Sequence, residues 1–214
     1  ALSAINLTAP AIGLITAVSG MLATGGSAVV MNKMGEGRAR EAREDFTLLI
    51  AANAVAGAVM MVLGYALMDR LLGTMGLSPA VFDYCRDYLS AYLPFTIPIL
   101  LMYNFSLYLI AADRPRLSLI CTVAGGVTNI VLDFVLVGLA GLGLRGAAIA
   151  TGLGYSITAA AGFLVFGKRE SLLHFQRPVL RGRVLLDASA NGLSELATAL
   201  VSGITTLLFN LAML

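Results

Sequence analysis

The sequence predicts an all-α membrane protein with six transmembrane helices, and three observations carry the prediction. Of 214 residues, 58% are hydrophobic and only 12% are charged, against roughly 25% in soluble domains. The charges cluster and leave long neutral stretches, each near the ~20 residues that carry a helix across a bilayer. Laid end to end, the six stretches gather most of the basic residues on one side. The lipid bilayer is therefore the first expected partner. A net charge of +2 gives no case for nucleic acid. Cys85, Cys121 and the single His174 have no metal-ligand or disulfide spacing, so no cofactor is expected.

The elements follow in order. The first span covers about 6–32, with Pro10 near its start and a small-residue surface of Gly20, Gly25, Gly26, Ser27 and Ala28, which lets helices approach closely in lipid. Residues 33–45 read as a glycine-broken turn and a short, charge-laced amphipathic helix. The second span covers 46–68, and a connector punctuated by Gly73, Gly76 and Pro79 follows. The third, 84–112, contains Pro94 and Pro98, each of which removes a backbone donor and is expected to kink the helix. A polar turn at 113–116 leads to the fourth span, 117–137. A glycine-rich turn with Arg145 leads to the fifth, 147–166, where Ala147, Thr151, Gly154 and Thr158 share a face. Residues 168–187 form a polar linker with room for a surface helix. The sixth span starts near Ala188 and runs to the chain end; Glu195, Thr198, Ser202, Thr205 and Phe209 share one face of it.

Charge orients these spans. The loops at 33–45, 113–116 and 168–187 hold eleven of the fourteen Lys and Arg residues, so they are expected to be cytoplasmic. Ala1 then lies outside. The chain opens without Met, directly into apolar sequence. The expectation is a segment of a longer membrane protein, with one helix preceding it.

Asn129 and Asp133 sit inside the fourth span. Their spacing of four places them one turn apart on one helical face, and Thr122 and Gly126 continue that stripe. A carboxylate at the centre of a membrane helix costs about 2.5–3.5 kcal/mol on insertion scales and faces a cavity or a partner. One reading is a cation site in a transporter. The other is a plain pairing with Arg145 near the outer interface.

Further motifs then fall into a family pattern. Residues 23–30 (ATGGSAVV) with Met34, Gly35, Glu36, Gly37, Glu41 and Ala42 resemble the second helix and following loop of the multidrug and toxic compound extrusion (MATE) transporters. Pro94-Phe95 and Ala112 to Arg116 look like that family's fourth helix and its exit. Asn129 to Asp133 and Gly143 to Thr151 are similar to helices five and six. Asn191 to Glu195, with Leu208, Phe209 and Asn210, resemble helix seven. The resemblance implies a twelve-helix, two-lobe transporter. Residues 1–167 would be helices two to six of the N-terminal lobe, 168–187 the cytoplasmic inter-lobe linker, and 188–214 the first helix of the second lobe. It further implies a first-lobe Na⁺ or H⁺ coupling site from Asn129, Asp133 and Thr151, completed by an acid on helix one. It also implies a coupling or substrate role for Glu195, whose plainer reading is a helix-terminal acid.

The implied function is secondary antiport: export of small organic, often cationic, drugs or metabolites against Na⁺ or H⁺. The setting would be the plasma membrane of a bacterium or archaeon, with the full-length protein a monomer. A lipid-linked oligosaccharide or lipid flippase of the same superfamily is the alternative; it would want a more cationic interior. No paired-carboxylate, HExxH or GxSxG motif supports an enzyme.

Overall fold

The computed structural model describes residues 2–74 and 77–212, and within them the chain is helical with no strand. In chain order the helices are α1 (Leu2–Gly35), α2 (Ala39–Thr74), α3 (Pro79–Tyr92), α4 (Thr96–Ala111), α5 (Pro115–Asp133), α6 (Gly143–Phe166), α7 (Gly182–Asn191) and α8 (Leu193–Ala212). A 3₁₀ turn, Leu93–Phe95, joins α3 to α4, and a π-helical segment, Phe134–Leu139, extends α5. Among the described residues, five stretches are long and apolar enough to span a bilayer: Thr8–Gly35, Ala39–Thr74, Pro79–Ala111, Pro115–Leu139 and Gly143–Phe166. Helix α8, of 20 residues, follows them. Exposed Val55, Val59, Leu119, Ile120, Val127 and Ile130 form apolar outer faces, as expected where the solvent is lipid.

Several boundaries differ from the sequence reading, each for a physical reason. The charged stretch at 38–45 is no separate helix; it is the first two turns of α2. No breaker interrupts it, and the Arg40–Glu44 pair at 3.1 Å supports helix at a spacing of four. Gly37, at φ +77°, makes the turn before it. Only Pro94 breaks the third span. It sits in the 3₁₀ turn, where Thr96 Oγ1 donates to Leu93 O at 2.7 Å. Pro98 is the third residue of α4, where a backbone N–H would have no intrahelical acceptor anyway. The final span, expected as one helix from Ala188, is two: α7 starts at Gly182 and α8 after Gly192. Phe209, from the face expected there, has a side chain outside the described residues.

Two buried cores stack along the bundle. At the end carrying the basic loops, Phe46, Phe105, Tyr108, Phe166 and Leu173 pack with Val184 and Ala188 of α7. Toward the opposite end, Met68, Leu72, Cys85, Tyr88, Tyr92, Leu93 and Ala148 form the second. Between them Asn53 and Asn104, both fully buried, exchange amide hydrogen bonds of 2.8 and 3.3 Å across α2 and α4. Satisfied pairs of this kind hold membrane helices together.

Candidate functional site

The pair singled out in the sequence is positioned by a glycine contact. Helices α5 and α6 run antiparallel and touch backbone to backbone. A Cβ on Gly125 would lie 2.7 Å from Gly154 O, and one on Gly154 would lie 2.7 Å from Gly125 O. Only glycine permits that approach. One turn on, it brings Asn129 of α5 against Thr151 of α6, with Asn129 Nδ2 donating to Thr151 Oγ1 at 3.3 Å. Thr151 in turn donates its hydroxyl hydrogen to Ala147 O at 2.9 Å. The amide oxygen of Asn129 and the second lone pair of the Thr151 hydroxyl are left free to act as acceptors.

Asp133 lies one further turn along α5, where the helix widens into its π segment. Its Oδ1 is buried and has no hydrogen-bond partner among the described residues. A buried carboxylate oxygen without a partner calls for a proton, a cation or a donor not yet in place. The pairing with Arg145 weighed above does not occur. Arg145 Nη2 bonds Asp87 Oδ1 at 2.5 Å instead, an exposed bridge tying the start of α6 to α3. The π segment packs on that same helix start, with Leu136 against Gly146. Such wide turns are frequent beside functional sites.

The sequence reading missed Tyr88. It lies on α3 within electrostatic reach of Asp133 and Tyr155, its ring 6.0 Å from that of Tyr92. The signal was available: Tyr88 and Tyr92 are one turn apart, directly after Asp87. Tyr155 of α6 lies within electrostatic reach of Tyr88, Tyr92 and Tyr103.

Glu195 stands apart from this group. It is exposed in the first turn of α8 and shares no hydrogen bond with Asn129, Asp133 or Thr151 among the described residues. It lies over Gly20 of α1, where a Cβ would meet Glu195 Cγ at 3.1 Å, and within electrostatic reach of Tyr103. Thr198 and Thr205 below it return their hydroxyls to their own helix, at Ser194 O and Val201 O. His174 is a loop residue, its Nδ1 3.2 Å from Ser171 O. An apolar cleft of about 440 Å³ between α1, α2 and α3, bordered by Leu14, Met60, Leu67 and Leu93, carries no titratable group. Among the described residues no cluster of three His, Cys, Asp or Glu side chains has metal-binding geometry.

Comparison with known proteins places these features in context. A family model described as MatE matches residues 1–135. Multidrug export protein MepA of Staphylococcus haemolyticus (strain JCSC1435) is 23% identical over 174 residues, covering 81% of this chain and 38% of that protein. A solved inward-facing structure of a multidrug resistance MATE family transporter of the MOP superfamily superposes with a TM-score of 0.89 at 22% identity, over 96% of this chain and 47% of that one. Its outward-facing counterpart gives 0.86 at 22% identity, over 93% and 45%. The chain thus spans half or less of the length of the proteins it matches.

Proposed function

This chain belongs to the MATE family, and from that premise we propose that the whole protein is a secondary antiporter that exports small organic, often cationic, compounds in exchange for Na⁺ or H⁺. The observation that carries the reading is the buried, partnerless Oδ1 of Asp133 one turn from the Asn129–Thr151 bond. Carboxylate, amide oxygen and hydroxyl are hard oxygen donors suited to Na⁺. H⁺ is the alternative ion that the same carboxylate can bind in place of Na⁺. With Arg145 committed to Asp87, no fixed cation takes that place.

In the cycle proposed here, a cation entering at Asp133 neutralises the carboxylate and favours one arrangement of the helices; substrate binding favours the other. Coupling requires each ligand to bind the two states with different affinity. Residues 1–167 are proposed to supply helices two to six of the N-terminal lobe, 168–187 the connection between lobes, and α8 the first helix of the second lobe. The loops at 33–45, 113–116 and 168–187 face the cytoplasm of a bacterial or archaeal cell in this scheme. Glu195 contributes to coupling or substrate contact from the second lobe. The flippase alternative is disfavoured because the spans carry few cations with which to hold a pyrophosphate.

The test is export from membrane vesicles under an imposed Na⁺ or H⁺ gradient, with Asp133→Asn compared with the parent at matched protein levels. Loss of gradient-driven export with retained insertion is the expected result. Undiminished, gradient-driven export by Asp133→Asn refutes the mechanism. Running each gradient alone identifies the ion.

A further inference from the structure

Residues 167–181 look from their composition like a solvated linker, yet 171–176 and Arg181 are fastened to the bundle, while 177–180 between them are exposed. Phe175 N donates to Phe166 O at 3.0 Å, Gln176 N to Thr47 Oγ1 at 3.0 Å, and Arg43 Nε to Leu172 O at 3.1 Å. The Phe175 ring stacks 5.4 Å from Phe46 and 5.8 Å from Phe163. Leu173 beside it is fully buried. This strap closes the basic end of the bundle over α2 and α6.

The strap ends on Arg181. Its guanidinium lies 2.8 Å from Glu44 Oε2, 3.2 Å from Asp45 Oδ1 and 3.6 Å from Glu41 Oε2. The side chain of Asp45 is 0% exposed and that of Glu44 10%. Two adjacent carboxylates so far from water are tolerated only when paired. Lys33 reaches Asp45 from α1 and Arg40 reaches Glu44 from α2 itself. Among the described residues Arg181 alone contacts both acids from the strap. Arg183, two residues on, is 92% exposed and stands 4.0 Å from Asp187.

Past Arg181 the chain enters α7, which buries Val184 and Ala188 against α1 so closely that a Cβ on Gly25 would fall 1.8 Å from Ala188 O. The helix then stops at Asn191, and α8 begins after Gly192. We propose that Arg181 is a latch that fastens the strap to Glu44 and Asp45, so that residues 167–191 travel with α1–α6 as one body and movement of later helices is taken up at the Asn191–Gly192 break. Arg181 is a positioning residue in this scheme and contacts neither cation nor substrate. The latch stands on contacts within this chain; only the hinge rests on the transport reading.

Two measurements on the intact protein test it. The first is labelling of Leu173→Cys by a polar maleimide in open membranes, in a background carrying Cys85→Ala and Cys121→Ala. Labelling is slow with Arg181 in place and rises about tenfold or more with Arg181→Ala or Arg181→Glu. Glu44→Arg added to Arg181→Glu slows it again, and Arg183→Ala leaves it unchanged. Equal labelling of Arg181→Ala and parent, or the same effect from Arg183→Ala, overturns the latch. The second keeps Arg181 and so survives any folding defect of its variants. Spin labels at Glu36 and Arg177 hold one distance with and without Na⁺ and at acidic and alkaline pH, while labels at Arg177 and Thr198 change theirs. A change within the first pair, or none across the second, overturns the hinge. Asp133→Asn retains Arg181 and the break, so the transport reading and the latch fail independently.

Discussion

Adjacent glycines on α5 provide a sharp physical test, because the same substitution should have opposite signs at Gly125 and Gly126. A Cβ at Gly125 lies 2.7 Å from Gly154 O, whereas ordinary contact begins near 3.4 Å, so the helices must part by about 0.7 Å. The Asn129–Thr151 bond, already 3.3 Å, then stretches to about 4.0 Å, past any useful hydrogen-bond distance. Overpacking costs about 1–3 kcal/mol, and an interhelical hydrogen bond in a membrane averages about 0.6 kcal/mol. Alanine returns up to ~1 kcal/mol through its better helix propensity. Gly125→Ala should therefore destabilise the protein by about 0.6–2.6 kcal/mol. At Gly126 a Cβ meets nothing within 4 Å, and Gly126→Ala should stabilise it by up to ~1 kcal/mol. Reversible unfolding in bicelles measures both. Two changes of the same sign and size would refute the claim that the Gly125–Gly154 contact sets the spacing of the site. If the spacing matters to the cation, Gly125→Ala also weakens Na⁺ binding by calorimetry, and Gly126→Ala does not.

Further expectations can be checked in the same systems. Asn53→Leu leaves the fully buried Asn104 amide without its partner and should cost about 1–3 kcal/mol, most of it recovered in Asn53→Leu/Asn104→Leu; a double variant as unstable as the sum of the singles would contradict this. Arg145→Ala removes an exposed bridge, so stability should fall by no more than about 1 kcal/mol, and cation binding at Asp133 should survive. Gly192→Ala places a Cβ 1.9 Å from Met21 O and should prevent α7 and α8 from seating on α1, seen as faster proteolysis within 182–195.

The spans were legible because a bilayer demands long neutral runs, and these runs are separated by charge or by glycine and proline. The boundaries at α2 and α7 were not. Charged residues that look solvated in a one-dimensional reading, such as Glu44 and Asp45, are buried and paired with Arg181 across about 136 residues of sequence. Nothing local announces that pairing. Asn129 and Thr151 were legible by spacing and resemblance, and the structure joins them. Asp133 was legible as an expensive residue, but the fate of its expected partner was not: Arg145, near it in sequence, is paired in space with Asp87 of α3. Tyr88 escaped notice because a tyrosine in an apolar helix passes for an interfacial anchor until the fold brings it within electrostatic reach of a carboxylate from another helix.

The unbroken run of α2 has a mechanical consequence. At 36 residues and about 1.5 Å per residue it is roughly 54 Å long, some 24 Å more than the hydrocarbon it crosses. It is long enough to stand proud of the membrane, with Glu41, Glu44 and Asp45 in its first two turns. One degree of tilt displaces one end relative to the other by about 1 Å. Leaning that the lipid barely registers would thus carry those three acids, and the strap gripped through Arg181, by about 1 Å, making the overhang a lever arm that passes tilt on to the strap.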